Sequence, residues 1–306
     1  WVASPMVRVW LPLHFSAGPL RDSVMAGWDA NELLRVAAEV AREAGALIRS
    51  RVPQVRQIAT KANAVDLVTD TDRAADALIS GRLAQAFPTH ARLTEESEIV
   101  QGAETAEICW VVDPLDGTVN FAHGVPQFAV SIAAVSGFVP GGSLLAGPQA
   151  RALAGVVYDP MRDELFSATA SGAAQCNGEP IAVAPCERLH EGLSATGYPY
   201  DRRERAEEYL VDWHRILPLC RDLRRCGAAA LDLAWVAMGR VDGYWERGLH
   251  AWDIAAGALI ARRAGAVATD FSGTDLFLDA REILVAGPAV HAELRSNLQA
   301  ESEGEL

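Results

Sequence analysis

The stretch "WVVDPLDGTVNF", Trp110 to Phe121, constrains the fold most strongly: an apolar run ends on two carboxylates, Asp113 and Asp116, that bracket a proline and lead into Gly-Thr. "CWVVD" has the apolar density of a buried strand. Pro114 has no N–H for a sheet ladder and a fixed φ, so the strand is expected to end at Asp113. In "DPLDG" the two carboxylates and the Leu115 carbonyl can then converge on one point, and oxygen donors of that kind suit a hard divalent cation such as Mg²⁺ or Mn²⁺. Asp, Pro and Gly are also ordinary turn residues, so a plain β-turn is the alternative.

Three further acidic stretches can complete a metal cluster. "LTEES" puts Glu95 after a short apolar strand, "VDLVTDTD" supplies Asp66, Asp70 and Asp72, and "AWDIAAG" puts Asp253 at the head of a helix. A carboxylate at a helix start can equally be an N-cap that satisfies free amides. Several carboxylates around one site repel strongly, and two or three divalent ions among them turn repulsion into attraction. Gly117-Thr118 falls just past these ligands, where free amides at the start of a helical turn would accept a phosphate oxygen and the Thr118 hydroxyl would orient a water. Cations and amides together make a site for a phosphate monoester.

With 306 residues the chain is long enough for a substantial core, and although 50% of it is hydrophobic no apolar stretch reaches the ~18 residues of a membrane span. A net charge of -13 excludes a broad nucleic-acid-binding face, because phosphate backbones are held by Lys and Arg. The five cysteines form no C-x-x-C pair, which favours reduced thiols in a cytoplasmic chain over a zinc site. Residues 1–24 resemble a targeting segment, but Arg8, Pro12, His14 and Pro19 interrupt its apolar core, and a poorly ordered extension is expected there.

Apolar residues from Asn31 to Val52 recur at helical spacing and predict a helix closed by Pro53; a second helix is predicted to begin after Thr71 and stop near Pro88. Between Ile108 and Ala184 the runs "CWVVD", "FAVSIAAVS", "LAGVVYD" and "ELFSATA" predict strands, with a Gly- and Pro-rich surface hairpin or loop from Gly137 to Ala152. Helices are predicted at Glu204 to Leu217, Ala228 to Met238 and Ile254 to Arg263, alternating with strand-like "VDGYWE", "AVATD" and "EILVAG". Layered helices and sheets follow. The expected division is an N-terminal α+β part over 25–185 carrying most metal ligands, a C-terminal α/β part over 186–298 and a tail over 299–306.

"WVVDPLDGTVNF" and "WDIAAGALIARRAGA" resemble the two signatures of the inositol monophosphatase family of Mg²⁺-dependent, lithium-sensitive phosphatases. The likeness includes "KANAVDLVTDTD", "LTEES", "GVVYDP", "ATGYPYDR" and "YWERGLHAWD" in family order, from Asn31 to Leu298. It implies an αβαβα sandwich with the site where the sheets meet. Glu95, Asp113 and the Leu115 carbonyl would bind one metal, Asp113, Asp116 and Asp253 a second, and a looser third ion would sit near Glu95. Thr118 with Asp72 would activate the attacking water, the amides of Gly117 and Thr118 would hold the phosphate, and Lys61 matches the family's mobile segment.

For the alcohol, Glu246 matches the acidic residue that binds inositol hydroxyls; its bland alternative is a solvated ion pair beside Arg247. "CGAAALD" has Ala228 where many relatives carry Ser or Thr, which removes a side-chain contact beside Gly227 and leaves the Ala229 amide. His123 and His250 read as packing residues. The resemblance implies inositol 1-phosphate or a similar polyol phosphate as substrate, direct in-line attack by a metal-activated water, and a homodimer with no nucleic-acid or membrane partner. The alternatives are a superfamily phosphatase for histidinol phosphate, fructose 1,6-bisphosphate or 3′-phosphoadenosine 5′-phosphate, or an interaction protein retaining the site, since some bacterial relatives bind transcription machinery.

Overall fold

The computed structural model describes residues 28–58, 64–97, 106–138, 150–275 and 281–299. Lys61, the segment before residue 25, most of the predicted 137–152 loop and most of the tail lie outside the described residues.

Two helices open the chain, α1 (Ala30–Ile58) and α2 (Ala64–Ala86). Helix α1 continues through Pro53 where the sequence predicts an end. Proline's fixed φ is itself helical, so it removes one hydrogen bond without forcing the chain out. A buried stripe of Leu33, Val36, Val40, Ala44, Ile48 and Val52 fastens the helix over five turns. Helix α2 begins seven residues before Thr71, because its polar first turns, "VDLVTDTD", hide the periodicity that would reveal them.

A seven-stranded sheet follows in sequential order: β1 (Ala91–Thr94), β2 (Ile108–Asp116), β3 (Ala129–Ser136), β4 (Arg151–Asp159), β5 (Glu164–Thr169), β6 (Gln175–Cys176) and β7 (Glu179–Pro180). Only β1 and β2 run parallel; the other neighbours are antiparallel. The four predicted strands are present, although β4 already includes Arg151 and Ala152 at the end of the predicted loop.

The second sheet has the order β11-β12-β10-β8-β9, built from β8 (Leu193–Thr196), β9 (Asp222–Arg224), β10 (Gly243–Arg247), β11 (Val267–Thr269) and β12 (Glu282–Ala286). Its helices are α4 (Ala206–Ile216), α5 (Ala229–Ala237), α6 (Ala251–Arg263) and α7 (Pro288–Leu298), while the five-residue α3 (Thr118–Ala122) follows β2. Three hydrophobic clusters separate five layers. One joins α1 and α2 to the first sheet, one packs α5 and α6 between the sheets, and one lies between the second sheet and α4 and α7. The αβαβα sandwich implied by the resemblance is the observed architecture.

Candidate active site

Strand β2 does not stop at Asp113. It runs to Asp116, and its register against β3 shifts between Asp113, opposite Ser131, and Asp116, opposite Ala129. Two residues of β2 thus face one of β3, a bulge that seats Pro114 where no ladder N–H is required. The extra residue also reverses the side-chain alternation. Val111 packs in the central cluster and Val112 in the outer one, whereas Leu115 beyond the bulge lies in the outer cluster. Asp113 and Asp116, three positions apart, therefore both face the middle of the molecule instead of opposite sides of the sheet.

The turn after β2 is locked by its own side chains. Asp113 Oδ1 accepts the Leu115 N–H at 2.9 Å, and Thr118 Oγ1 donates to the Leu115 carbonyl at 3.0 Å. Gly117 has φ of 87°, and a Cβ there would stand 2.7 Å from the Gln127 carbonyl, so no other residue fits without strain. Asn120 Nδ2 donates to the carbonyls of Gln127 at 2.7 Å and Cys226 at 2.9 Å, tying this turn to the loop before α5.

The remaining cleft acids arrive from three other elements, and Asp116 on β2 reaches a fourth. Parallel pairing of β1 with β2 brings up Glu95, whose N–H donates to the Val112 carbonyl at 3.1 Å. Asp253 occupies the third position of α6, inside the helix and not at its N-cap, and its Oδ2 accepts the His250 N–H at 2.7 Å. Asp116 accepts the N–H groups of Ala229 at 3.2 Å and Ala230 at 2.8 Å, which caps the start of α5. The Ala229 amide is thus already engaged by Asp116. Glu246 lies on β10 with Oε2 accepting the Tyr244 hydroxyl at 2.5 Å. It is no solvated ion pair, because the adjacent Arg247 binds Asp212 and Glu282 instead.

One cleft of about 420 Å³ collects Glu95, Asp113, Leu115, Asp116, Gly117, Thr118, Gly227, Ala229, Glu246 and Asp253. Ala228 is buried behind this wall, and Asp72 is not among the lining residues. Tyr198, Arg202, Arg225, His250 and Trp252 also line the cleft. Sequence reasoning set His250 aside as packing. It does stack on Trp252, with ring centroids 4.5 Å apart, and it also forms part of the wall.

Burial and mutual repulsion dominate the electrostatics. Asp113 is held well above the usual carboxylate range by burial and then by Glu95, Asp116 and Asp253; burial likewise raises Asp253, with Asp116, Glu95 and Glu246 adding to it. Asp116 is raised by burial, against the lowering effect of the Ala230 N–H. Burial pushes Glu246 up to about 7. Asp72 reaches about 8 through burial and its neighbours Glu96 and Glu95, and its Oδ1 is buried with no hydrogen-bond partner among the described residues.

Among the described residues no three Asp, Glu, His or Cys side chains form a ready-made metal-binding group. What these acids share is a cleft and a field. An all-oxygen donor set, with carboxylates destabilised as anions by burial and by one another, is chemically matched to hard divalent cations.

Asp232 on α5 ends the quoted "CGAAALD", yet sequence reasoning there singles out Gly227, Ala228 and Ala229 and passes over it. It is 1% exposed, burial and Glu246 hold it well above the usual range, and its Oδ1 has no partner among the described residues. Asn120 lay within the quoted signature, and its bridging role depends on contacts with residues more than a hundred positions away.

A family model described as the inositol monophosphatase family matches residues 29–303. Inositol-1-monophosphatase of Synechocystis sp. is 40% identical over 272 residues, covering 89% of this chain and 90% of that protein. Nus factor SuhB of Escherichia coli is 38% identical over 271 residues, covering 88% of this chain and 96% of that protein. The solved structure of inositol monophosphatase from Anabaena superposes with a TM-score of 0.75 at 36% identity, covering 88% of this chain and 95% of that one.

Proposed function

The chain belongs to the inositol monophosphatase family and is a phosphoric monoester hydrolase; on that premise we propose that its substrate is inositol 1-phosphate or a similar polyol monophosphate, and that its cation is Mg²⁺. The observation that carries this reading is the sharing of one cleft by Glu95, Asp113, Asp116 and Asp253 with Glu246. The first four meet the phosphate end, and Glu246 meets the alcohol.

In this reading Glu95, Asp113 and the Leu115 carbonyl would hold one ion, Asp113, Asp116 and Asp253 a second, and Glu95 would help to hold a looser third. When bound, such ions supply Lewis acidity toward the phosphoryl group and the attacking water. The chain supplies position. Gly117 and Thr118 seat the phosphate, and the Thr118 hydroxyl, fixed by its bond to the Leu115 carbonyl, orients the water in line with the leaving oxygen. Asp72, with an open buried oxygen, would take up the Thr118 proton once that hydroxyl turns from the Leu115 carbonyl, while Thr118 takes a proton from the water in exchange. Glu246 accepts hydrogen bonds from the hydroxyl groups of the alcohol. The same reading carries a homodimer, a cytoplasmic location and inhibition by Li⁺.

Phosphate release tests it, using inositol 1-phosphate, histidinol phosphate, fructose 1,6-bisphosphate and 3′-phosphoadenosine 5′-phosphate, each with and without Mg²⁺ and Li⁺. Turnover of histidinol phosphate far above that of inositol 1-phosphate would end the polyol reading. The likeness to a protein named as a Nus factor supports a second reading, an interaction protein that retains the phosphatase site. Persistence of the cellular phenotype in a strain whose only copy carries Asp113→Asn would favour it.

A further inference from the structure

Along β10 the side chains alternate: Tyr244 packs in the central cluster, Trp245 in the outer one, and Glu246 returns to the inner face beside Tyr244. Tyr244 is fully buried, and its hydroxyl donates to Glu246 Oε2. That leaves Oε1 for the cleft. On the neighbouring parallel strand, Thr196 of β8 pairs with Trp245, so Gly197 follows beside Glu246. A Cβ built at Gly197 would overlap the Glu246 carboxyl group, all three of whose outer atoms are its nearest neighbours. The carboxylate thus lies across a bare α-carbon with one oxygen pinned from below.

We propose that Tyr244 and Gly197 are positioning residues that fix the Glu246 carboxylate in the cleft wall, and that this fixation sets the preference for an alcohol rich in hydroxyl groups. The inference rests on the reading of Glu246 as the hydroxyl acceptor. A carboxylate free to rotate would spend part of its time turned from the substrate, and ordering it on binding would weaken affinity. Neither residue touches the phosphate end, so turnover of a monoester without hydroxyl groups is independent of both.

The test compares inositol 1-phosphate with p-nitrophenyl phosphate, in Mg²⁺, for wild type, Tyr244→Phe, Gly197→Ala, Glu246→Gln and the Tyr244→Phe/Glu246→Gln double variant. Tyr244→Phe is expected to raise KM for inositol 1-phosphate about threefold to tenfold, the cost of ordering one freed side chain on binding. Its p-nitrophenyl phosphate kinetics stay at the wild-type level, which also reports that the variant has folded. Gly197→Ala shifts selectivity in the same direction, and the double variant is no worse than Glu246→Gln alone. A Tyr244→Phe change that affects both substrates equally, or adds in full to Glu246→Gln, overturns the positioning role. Wild-type selectivity in Glu246→Gln removes the reading of Glu246 itself, a result distinct from an inert Tyr244→Phe beside an impaired Glu246→Gln.

Discussion

Asn120 offers the sharpest test of how the cleft is held together. Its side-chain amide reaches the Gln127 carbonyl at 2.7 Å and the Cys226 carbonyl at 2.9 Å, with a longer approach of 3.3 Å to Gly227. The first contact closes the turn that carries Gly117 and Thr118, and the second crosses to the wall formed by Gly227 and Ala229. Asn120→Ala leaves two carbonyls short of a donor. At about 1 kcal/mol net for each bond, the loss is about 2 kcal/mol, or a few degrees in Tm for a chain of this size.

Activity should fall further than stability, because a displacement of about 1 Å between two substrate-positioning segments can cost ~10²-fold in rate. Asn120→Asp is the stricter perturbation. It keeps the shape, replaces the donor by an anion, and faces that anion with the same carbonyl oxygens. Stability and kcat/KM for inositol 1-phosphate are both expected in the order wild type, Asn120→Ala, Asn120→Asp. Thermal unfolding and steady-state phosphate release measure the two quantities. An Asn120→Asp protein with wild-type Tm and kinetics would refute the claim that this amide joins the two walls.

Asp113→Asn is expected to lower Mg²⁺-dependent kcat/KM by about 10³-fold, since in the proposed reading several kcal/mol of charge stabilisation would pass through this carboxylate. The same variant should melt at a higher temperature than wild type in chelator, because it removes one of the mutually repelling buried carboxylates. Gly117→Ala should destabilise by at least about 2 kcal/mol in urea unfolding, combining a left-handed backbone with a clash against the Gln127 carbonyl. Burial lowers His90 and His291 to about 4; between pH ~6.5 and ~4 the unfolded chain takes up protons that the folded one refuses, so these histidines erode stability as pH falls and contribute no slope above that window. Replacing His90 by Gln should therefore flatten the acid limb of a plot of urea midpoint against pH, by up to ~1.4 kcal/mol per pH unit; an unchanged limb would contradict its neutral burial against Trp110.

The acid-bearing segments that meet in the cleft were legible because each is contiguous and chemically distinctive: "DPLDGT", "LTEES" and "WDIAAG" announce oxygen donors whatever the tertiary structure. The strands were legible from apolar β-branched runs. Less legible were features decided by a distant partner. Nothing near Pro53 says that α1 is fastened along its length to a sheet, and nothing near Ala229 says that its amide is engaged by Asp116, 113 positions earlier. Ala228, read as the place of a missing substrate contact, is buried beside Gly117 and is not among the residues that line the cleft.

Pro114 shows how one residue can be read correctly in its chemistry and wrongly in its consequence. A proline without an N–H does interrupt a ladder, and ending the strand is the simplest response. Here β3 continues alongside, pairing Ala129 with Asp116 beyond the gap, so the sheet absorbs the proline as a bulge. That bulge turns the spacing of three into a functional one. In an unbroken strand Asp113 and Asp116 would face opposite sides, one of them toward the apolar layer under α1 and α2, where no amide or cation could compensate its charge. With one residue inserted, both meet Glu95 and Asp253, and Asp116 gains two amides at the head of α5. Asp113→Asn should thus retain the Leu115 N–H bond and the fold while losing turnover. Deletion of Leu115 would leave the two carboxylates on one face at a spacing of two, but it removes a fully buried side chain and the carbonyl that holds Thr118, so it should cost the fold as well.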